Sequence, residues 1–360
     1  MAGPIRVLTV DDSELVQAIL KSILSTDPEL ELVGTAGNGR EAVQRASELR
    51  PDVIVMDIDM PELSGLGATE QIMAYHPTPI LVLTSIDRAD VAFEALSRGA
   101  LEVVEKPELS DERCRELIGK IKMSAAVEVV THLAGRRGGD AGPERDAPIP
   151  LPVRDEGARY PSAASRDGQS RTRVIGIASS TGGPKALAQI CAALPADLPA
   201  SILVVQHISD GFAPVLTNWL DGGSPMRVKE AEHAELLEPG VVYIAPSNVQ
   251  MQVTGRRIAL SDEPPVQGHR PSADVLLSSI ARSCGRGGMG IVLSGMGRDG
   301  AEGARQIRAA GGYAVAQSEQ SCVIYGMPRA TVELEGASEV LSPAGIAATV
   351  LRRATEGERS

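Results

Sequence analysis

The stretch Val53-Ile54-Val55-Met56-Asp57-Ile58-Asp59-Met60-Pro61 is a short apolar run that ends in two acids and a proline. An apolar run of that length, bounded by breakers, predicts a strand buried on both faces, as in a parallel sheet. The same alternation recurs on either side of it. Ile5 to Val10 precedes a helical pattern from Leu15 to Leu24, Glu31 to Thr35 precedes Arg40 to Leu49, and Gly67 to Tyr75 follows the quoted strand. Ile80 to Thr84, Val91 to Arg98, Glu102 to Val104 and a helix from about Ser110 complete five strand–helix pairs. Residues 1–124 therefore predict a doubly wound α/β domain around a five-stranded parallel sheet.

Beyond it, from Arg136 to about Thr172, Arg, Asp, Glu, Gly and Pro are mixed with no sustained apolar run. Such a composition cannot bury enough surface to offset its ordering entropy, so residues 125–172 are expected to be a flexible linker. A second α/β pattern spans 173–355. Its expected strands are Val174 to Ala178, Ser201 to Gln206, Val241 to Ala245, Gly290 to Ser294 and Tyr313 to Gln317. A hairpin is expected from Gln250 to Val253 and Arg257 to Ser261, around Thr254-Gly255-Arg256, and a helix opened by Pro184 follows the first strand.

Composition narrows the function classes. A formal net charge of −12 with 2% aromatic residues opposes phosphate-backbone binding, so no nucleic-acid partner is expected. Hydrophobic residues make up 43% of the 360, yet no apolar run approaches the ~18 residues of a membrane span, so no direct membrane insertion is expected. The first residues read against a signal peptide, because Arg6 and Asp11-Asp12 interrupt the apolar stretch. Cys114, Cys191, Cys284 and Cys322 form no metal or disulfide spacing and read as reduced thiols of a cytoplasmic protein.

In the first domain Asp11 and Asp12 follow one strand, Asp57 ends another, Thr84 a third and Lys106 a fourth. All lie at the carboxyl edge of the sheet, where ligands of such folds bind. Three carboxylates there need a hard cation such as Mg²⁺ between them. A phosphoryl group on one of them would meet Lys106 and the Thr84 hydroxyl. Singly, each residue could equally be a helix cap or a turn. Val10-Asp11-Asp12-Ser13, Met56 to Pro61, Gly65-Leu66, Thr84-Ser85 and Lys106-Pro107 resemble the receiver domain of two-component response regulators. The resemblance implies a flavodoxin-like receiver in which Asp57 accepts phosphate from a histidine kinase of the chemotaxis type. Asp11, Asp12, Asp57 and the Asp59 backbone carbonyl would hold Mg²⁺. Val103 stands three residues before Lys106, where receivers often carry a switch aromatic.

In the second domain Ile175-Gly176-Ile177-Ala178-Ser179-Ser180-Thr181-Gly182-Gly183-Pro184 places Ser180 in a glycine-rich turn from strand to helix. A serine so placed is exposed to attack a carbonyl, with N–H groups near an oxyanion. Alone, the turn reads equally as a helix cap or an anion-binding loop. His207 follows the strand ending at Gln206, and Asp299 lies in the loop Gly295-Met296-Gly297-Arg298-Asp299-Gly300, so three strand ends gather a nucleophile, a base and an acid. His269 follows the hairpin and is the poorer base candidate, though able to line the site; His233, in a charged stretch, reads as surface.

These motifs, with Tyr243-Ile244-Ala245-Pro246, His269-Arg270-Pro271-Ser272-Ala273-Asp274 and Ser321 to Arg329, resemble the catalytic domain of chemotaxis protein-glutamate methylesterases, the CheB family. Ser179 replaces a frequent Ala of that pattern, and Arg298 a frequent Asn. The resemblance implies a serine esterase acting on glutamate methyl esters of chemoreceptors, with no cofactor in the catalytic domain and glutamine deamidation as a related activity. Ser180, His207 and Asp299 would be catalytic, with oxyanion or substrate groups near Thr181, Met296 and His269. It also implies that the unphosphorylated receiver restrains the catalytic domain. A phospho-regulated binding module with weak or no catalysis is the alternative; a DNA-binding output is opposed by charge and by the absence of a helix-turn-helix pattern.

Overall fold

The computed structural model describes residues 3–85, 89–106, 111–127 and 173–355. The chain divides into two compact units, Met1–Asp146 and Ala147–Ser360. Pro107 and residues 128–172, most of the expected linker, lie outside the described residues.

In the first unit β1 (Ile5–Val10), α1 (Glu14–Leu24), β2 (Leu30–Ala36), α2 (Gly39–Leu49) and β3 (Val53–Asp57) lead to α3 (Gly65–Tyr75). β4 (Ile80–Thr84), α4 (Ala89–Ser97), β5 (Glu102–Glu105) and α5 (Asp111–Ala125) follow, so α5 runs one residue into the expected linker. The sheet is parallel in the order β2-β1-β3-β4-β5, the flavodoxin-like arrangement with its switch point between β1 and β3. Val7, Val53, Val55, Leu81 and Leu83 form one buried face with Leu20, Ile23 and Leu24 of α1 and Leu117 and Ile121 of α5. The side chains of Ser13, Asn38 and Ser64 accept from Val16, Glu41 and Gly67 N–H groups, starting α1, α2 and α3. Gly65 lets α3 begin against the end of β3, because a Cβ there would lie 2.7 Å from Ile58 Cα.

The second unit opens with β6 (Arg173–Ser179), α6 (Gly183–Ala193), β7 (Ala200–Gln206), α7 (Ala213–Gly223), β8 (Arg227–Glu230) and β9 (Val241–Ile244). The antiparallel hairpin β10 (Gln250–Thr254) and β11 (Arg257–Ser261) leads to α8 (Ala273–Cys284). β12 (Gly288–Val292), α9 (Ala301–Ala309), β13 (Tyr313–Gln317), α10 (Met327–Glu333), β14 (Glu339–Leu341) and α11 (Pro343–Thr355) complete it. The seven parallel strands are ordered β14-β13-β12-β6-β7-β9-β8. The chain first builds outward from β6 through β7, then returns to β12 on the other side of β6. The carboxyl ends of β6 and β12 thus flank the switch point, where the crevice of such a sheet opens.

Three expectations need correction. The strand expected from Gly290 to Ser294 runs from Gly288 to Val292, because the Ser294 N–H turns to the Gln317 side chain at 2.8 Å and leaves the ladder. β8 and β14 were not expected. Both are sheet edges of three or four residues carrying charges (Arg227, Lys229, Glu230; Glu339), the way natural sheets end, and such residues give no apolar run to read.

Candidate active site

The first unit gathers its acids as the strand ends dictate. One oxygen each from Asp11, Asp12 and Asp57 lies within 4.8 Å of the others. Asp11 and Asp57 are buried while Asp12 is exposed. The Lys106 ammonium, just past β5, sits 3.0 Å from Asp11 Oδ2 and 2.9 Å from Asp57 Oδ2. Burial pushes the Asp57 carboxyl up, against the hydrogen bond and charge of Lys106. The Lys106 ammonium is disfavoured by burial, but its bonds to Asp57 and Asp11 outweigh that and raise it. The Ile58 N–H donates to Asp57 Oδ1 at 2.8 Å, and the buried Thr84 hydroxyl donates to the Ser85 carbonyl at 3.2 Å. Asp59 is exposed two residues beyond Asp57. An all-oxygen set with net negative charge suits a hard divalent cation, so the donors present fit Mg²⁺. Val103 is buried in β5 opposite Val82.

Ser180 is the first residue after β6, half-buried, and its backbone is held on both sides. Its N–H donates to the Ser294 carbonyl at 3.1 Å, and its carbonyl accepts from the Gly183 N–H at 2.8 Å and from Gln206 Nε2 at 2.9 Å. Gly182 takes φ +76° to turn the chain into α6, a conformation for which glycine is suited. α6 begins without a side-chain cap, with Pro184 in its first turn, so its positive end lies close to Ser180 in the chain. The His207 N–H donates to the Ser179 carbonyl at 2.9 Å, and Gln206 Nε2 also donates to the His207 carbonyl at 2.9 Å. The ends of β6 and β7 are stitched together by these bonds.

Asp299, 1% exposed, meets four donors. Oδ2 lies 2.8 Å from His207 Nε2 and accepts from the Ala273 N–H at 2.7 Å. Oδ1 accepts from the Ser272 hydroxyl at 2.8 Å and the Asp274 N–H at 2.9 Å. Burial alone would push this carboxyl up, but the His207 bond and charge and the two N–H groups outweigh it and hold it below its ordinary value. Hydrogen bonds to a charged group contribute about 1.5–3 kcal/mol each, enough for four to offset a desolvation cost of several kcal/mol. Because Asp299 takes Nε2, the proton belongs on that nitrogen and Nδ1 is left as an acceptor. His207 Nδ1 is buried and has no partner among the described residues.

His269 stacks on His207 with ring centroids 4.0 Å apart and planes within 3°. Burial pushes its pKa down, then the neighbouring His207, with Asp299 opposing. It lines the site stacked on His207, while the bond to Asp299 belongs to His207. Thr181 is buried, and Met296 is exposed at the mouth. Gly295 lies so close to Ser180 that a Cβ on it would be 2.7 Å from Ser180 Cβ, and the Met296 N–H beyond it has no backbone partner among the described residues. His233 lies on the surface, against Leu260.

Sequence reasoning missed Gln206 as a brace, Ser272 as a partner of Asp299, and Gln250. The last is fully buried and joins the His269 carbonyl (3.3 Å) to the Ser272 N–H (2.8 Å). Its position in a hairpin strand gave no signal, and Ser272 stood in the sequence only as part of a motif, with no role assigned to it.

A parallel sheet with a serine, a histidine and an acid in the loops that follow β6, β7 and β12, preceded in the chain by a receiver-type acidic pocket, is the arrangement of a response-regulator hydrolase. Residues 175–350 match the CheB methylesterase family and residues 7–118 the response regulator receiver domain. The chain belongs to the CheB methylesterase family. A protein-glutamate methylesterase/protein-glutamine glutaminase of Anaeromyxobacter dehalogenans is 43% identical over 343 residues, covering 94% of each chain. A protein of the same name from Symbiobacterium thermophilum is 40% identical over 365 residues, covering 98% of each. Among solved structures, the catalytic domain of CheB methylesterase from Thermotoga maritima is 34% identical with a TM-score of 0.49, covering 51% of this chain and 98% of that one.

Proposed function

We propose that this chain hydrolyses glutamate methyl esters on chemoreceptors to glutamate and methanol, under control of phosphorylation at Asp57. The observation that carries the reading is the 2.8 Å bond between His207 Nε2 and Asp299 at the switch point that also holds Ser180. Ser180 Oγ attacks the ester carbonyl carbon as His207 Nδ1 takes its proton, and the Asp299 carboxylate supports the imidazolium. Backbone N–H groups near Thr181 and Met296 face the developing oxyanion. The tetrahedral intermediate collapses, the carbon–methoxy oxygen bond breaks, and His207 returns its proton to the leaving methoxide as methanol. Water then adds to the acyl-enzyme with His207 again as base, and the Ser180 oxygen leaves as the hydroxyl. The stacked His269 covers one face of the His207 ring.

The same acyl chemistry on a side-chain amide releases ammonia, and the relatives named protein-glutamine glutaminase favour this second activity. In the receiver, Asp11, Asp12, Asp57 and the Asp59 carbonyl would hold Mg²⁺. When bound, the cation neutralises charge on the incoming phosphoryl group. An Asp57 oxygen attacks the phosphorus of a kinase phosphohistidine, the N–P bond breaks, and an acyl phosphate forms, with Lys106 and Thr84 meeting its oxygens. Among the described residues no helix is long and apolar enough to cross a membrane, in keeping with a cytoplasmic enzyme that visits receptor membranes. The test is methanol release from methylated receptor membranes. The reading requires release by the wild type and none above background by Ser180→Ala; no release by the wild type would leave a phospho-regulated binding module.

A further inference from the structure

Ser272 occupies the residue before α8 with φ −104° and ψ 132°, the extended conformation of a helix N-cap. A serine there ordinarily accepts a hydrogen bond from an N–H of the first turn. This one makes no such bond. The Ala273 and Asp274 N–H groups are taken by Asp299, from a loop 25 residues or more away, and the Ser272 hydroxyl donates to Asp299 Oδ1 at 2.8 Å. The acid caps the helix, and the serine serves the acid. Ser272 is fully buried, so water does not compete for its hydroxyl, and its own N–H is fixed at 2.8 Å on the side chain of the equally buried Gln250.

Resting on the esterase reading above, we infer that Ser272 is a positioning residue for the reaction. Its hydroxyl, with the two N–H groups of α8, fixes the Asp299 carboxylate so that one oxygen edge alone faces His207. The imidazole is thereby held as the Nε2–H tautomer with Nδ1 available to Ser180. Without the hydroxyl, Oδ1 loses its only side-chain donor among the described residues and the carboxylate gains freedom to rotate about its last bond. The bond from Asp299 to His207 then no longer selects one ring orientation. Because no capping bond exists to be lost, a hydroxyl deletion at this position leaves the fold of α8 supported by Asp299.

The test compares the full-length wild type with Ser272→Ala and Ser272→Thr. Thr keeps the hydroxyl and is at home in extended backbone. Three measurements are made: methanol release with kcat and KM resolved, thermal unfolding, and ¹⁵N spectra of the His207 ring without substrate. Ser272→Ala is expected to lower kcat about tenfold, the loss of one hydrogen bond to a charged group, with KM within about twofold. Ser272→Thr is expected to recover most of that loss. The wild-type ring should show one sharp Nε2–H tautomer, which broadens or mixes in Ser272→Ala. Unchanged kcat in Ser272→Ala, or an unchanged single tautomer in it, overturns the inference, as does an equal loss in the Ala and Thr variants. If the wild type releases no methanol, the esterase reading fails separately, and the ring spectra alone decide whether Ser272 holds the imidazole.

Discussion

In the proposed mechanism Ser180, His207 and Asp299 carry unequal parts of the chemistry, and substitutions should separate them. Ser180→Ala is expected to lose on the order of 10⁶-fold in kcat, because no acyl-enzyme forms, and His207→Ala to match it. Asp299→Asn should cost less, since nucleophile and base remain while the tautomer is no longer enforced. Methanol release under saturating substrate measures all three, and a wild-type rate in Ser180→Ala would refute the assignment. Asp299 also makes a stability prediction with a defined sign. Its carboxyl lies below its ordinary value in the folded chain, so its contribution is present above the unfolded pKa of about 4 and is lost as pH falls through the lower folded value. The difference in unfolding free energy between wild type and Asp299→Asn should therefore shrink as pH falls from about 4 through the folded value. A difference independent of pH would show that the carboxylate is not ionised in the fold.

At the level of elements, the close approach of α3 to the end of β3 is the feature most open to disturbance. A methyl at Gly65 would press on the Asp57 carbonyl and the Ile58 backbone, and overpacking of this kind costs about 1–3 kcal/mol. Gly65→Ala should lower both the midpoint of receiver unfolding and the rate of labelling by a small phosphodonor, whereas an unchanged rate would show that α3 shifts freely of the pocket. The central strands of both sheets are legible in sequence because each is an apolar run closed by a chemically distinctive residue: Asp57, Thr84, Ser180 or His207. Edges are not legible in the same way, since β8 and β14 are short and charged. The site divides likewise. Groups that react stand at strand ends and announce themselves by type and place. Gln206, Gln250 and Ser272 act through bonds whose partners lie 22 to 27 residues away or across a strand end, a distance no local pattern encodes.

For the whole molecule, the expectation is that phosphorylation of Asp57 stimulates methanol release. Coupling between two sites is typically worth about 1–3 kcal/mol, or roughly 5- to 150-fold. A fragment beginning at Arg173 should exceed the unphosphorylated full chain at equal molar amounts on the same membranes, and Asp57→Asn should abolish stimulation. Equal release from the fragment and from both phosphorylation states would refute restraint by the receiver. Val103 stands where receivers often carry a switch aromatic, so replacing it by Tyr tests whether a ring at that position adds to the response. Within the second unit, the three reactive groups come from loops at one end of seven parallel strands, and Asp299 is moored to a helix that enters from a hairpin outside the sheet. The enzyme is in this sense modular. An engineer or a lineage can rewrite the turns at the opposite end of the sheet without touching Ser180, His207 or Asp299, whereas the hairpin is bound to the site through Gln250, and a change there reaches Ser272 and so Asp299.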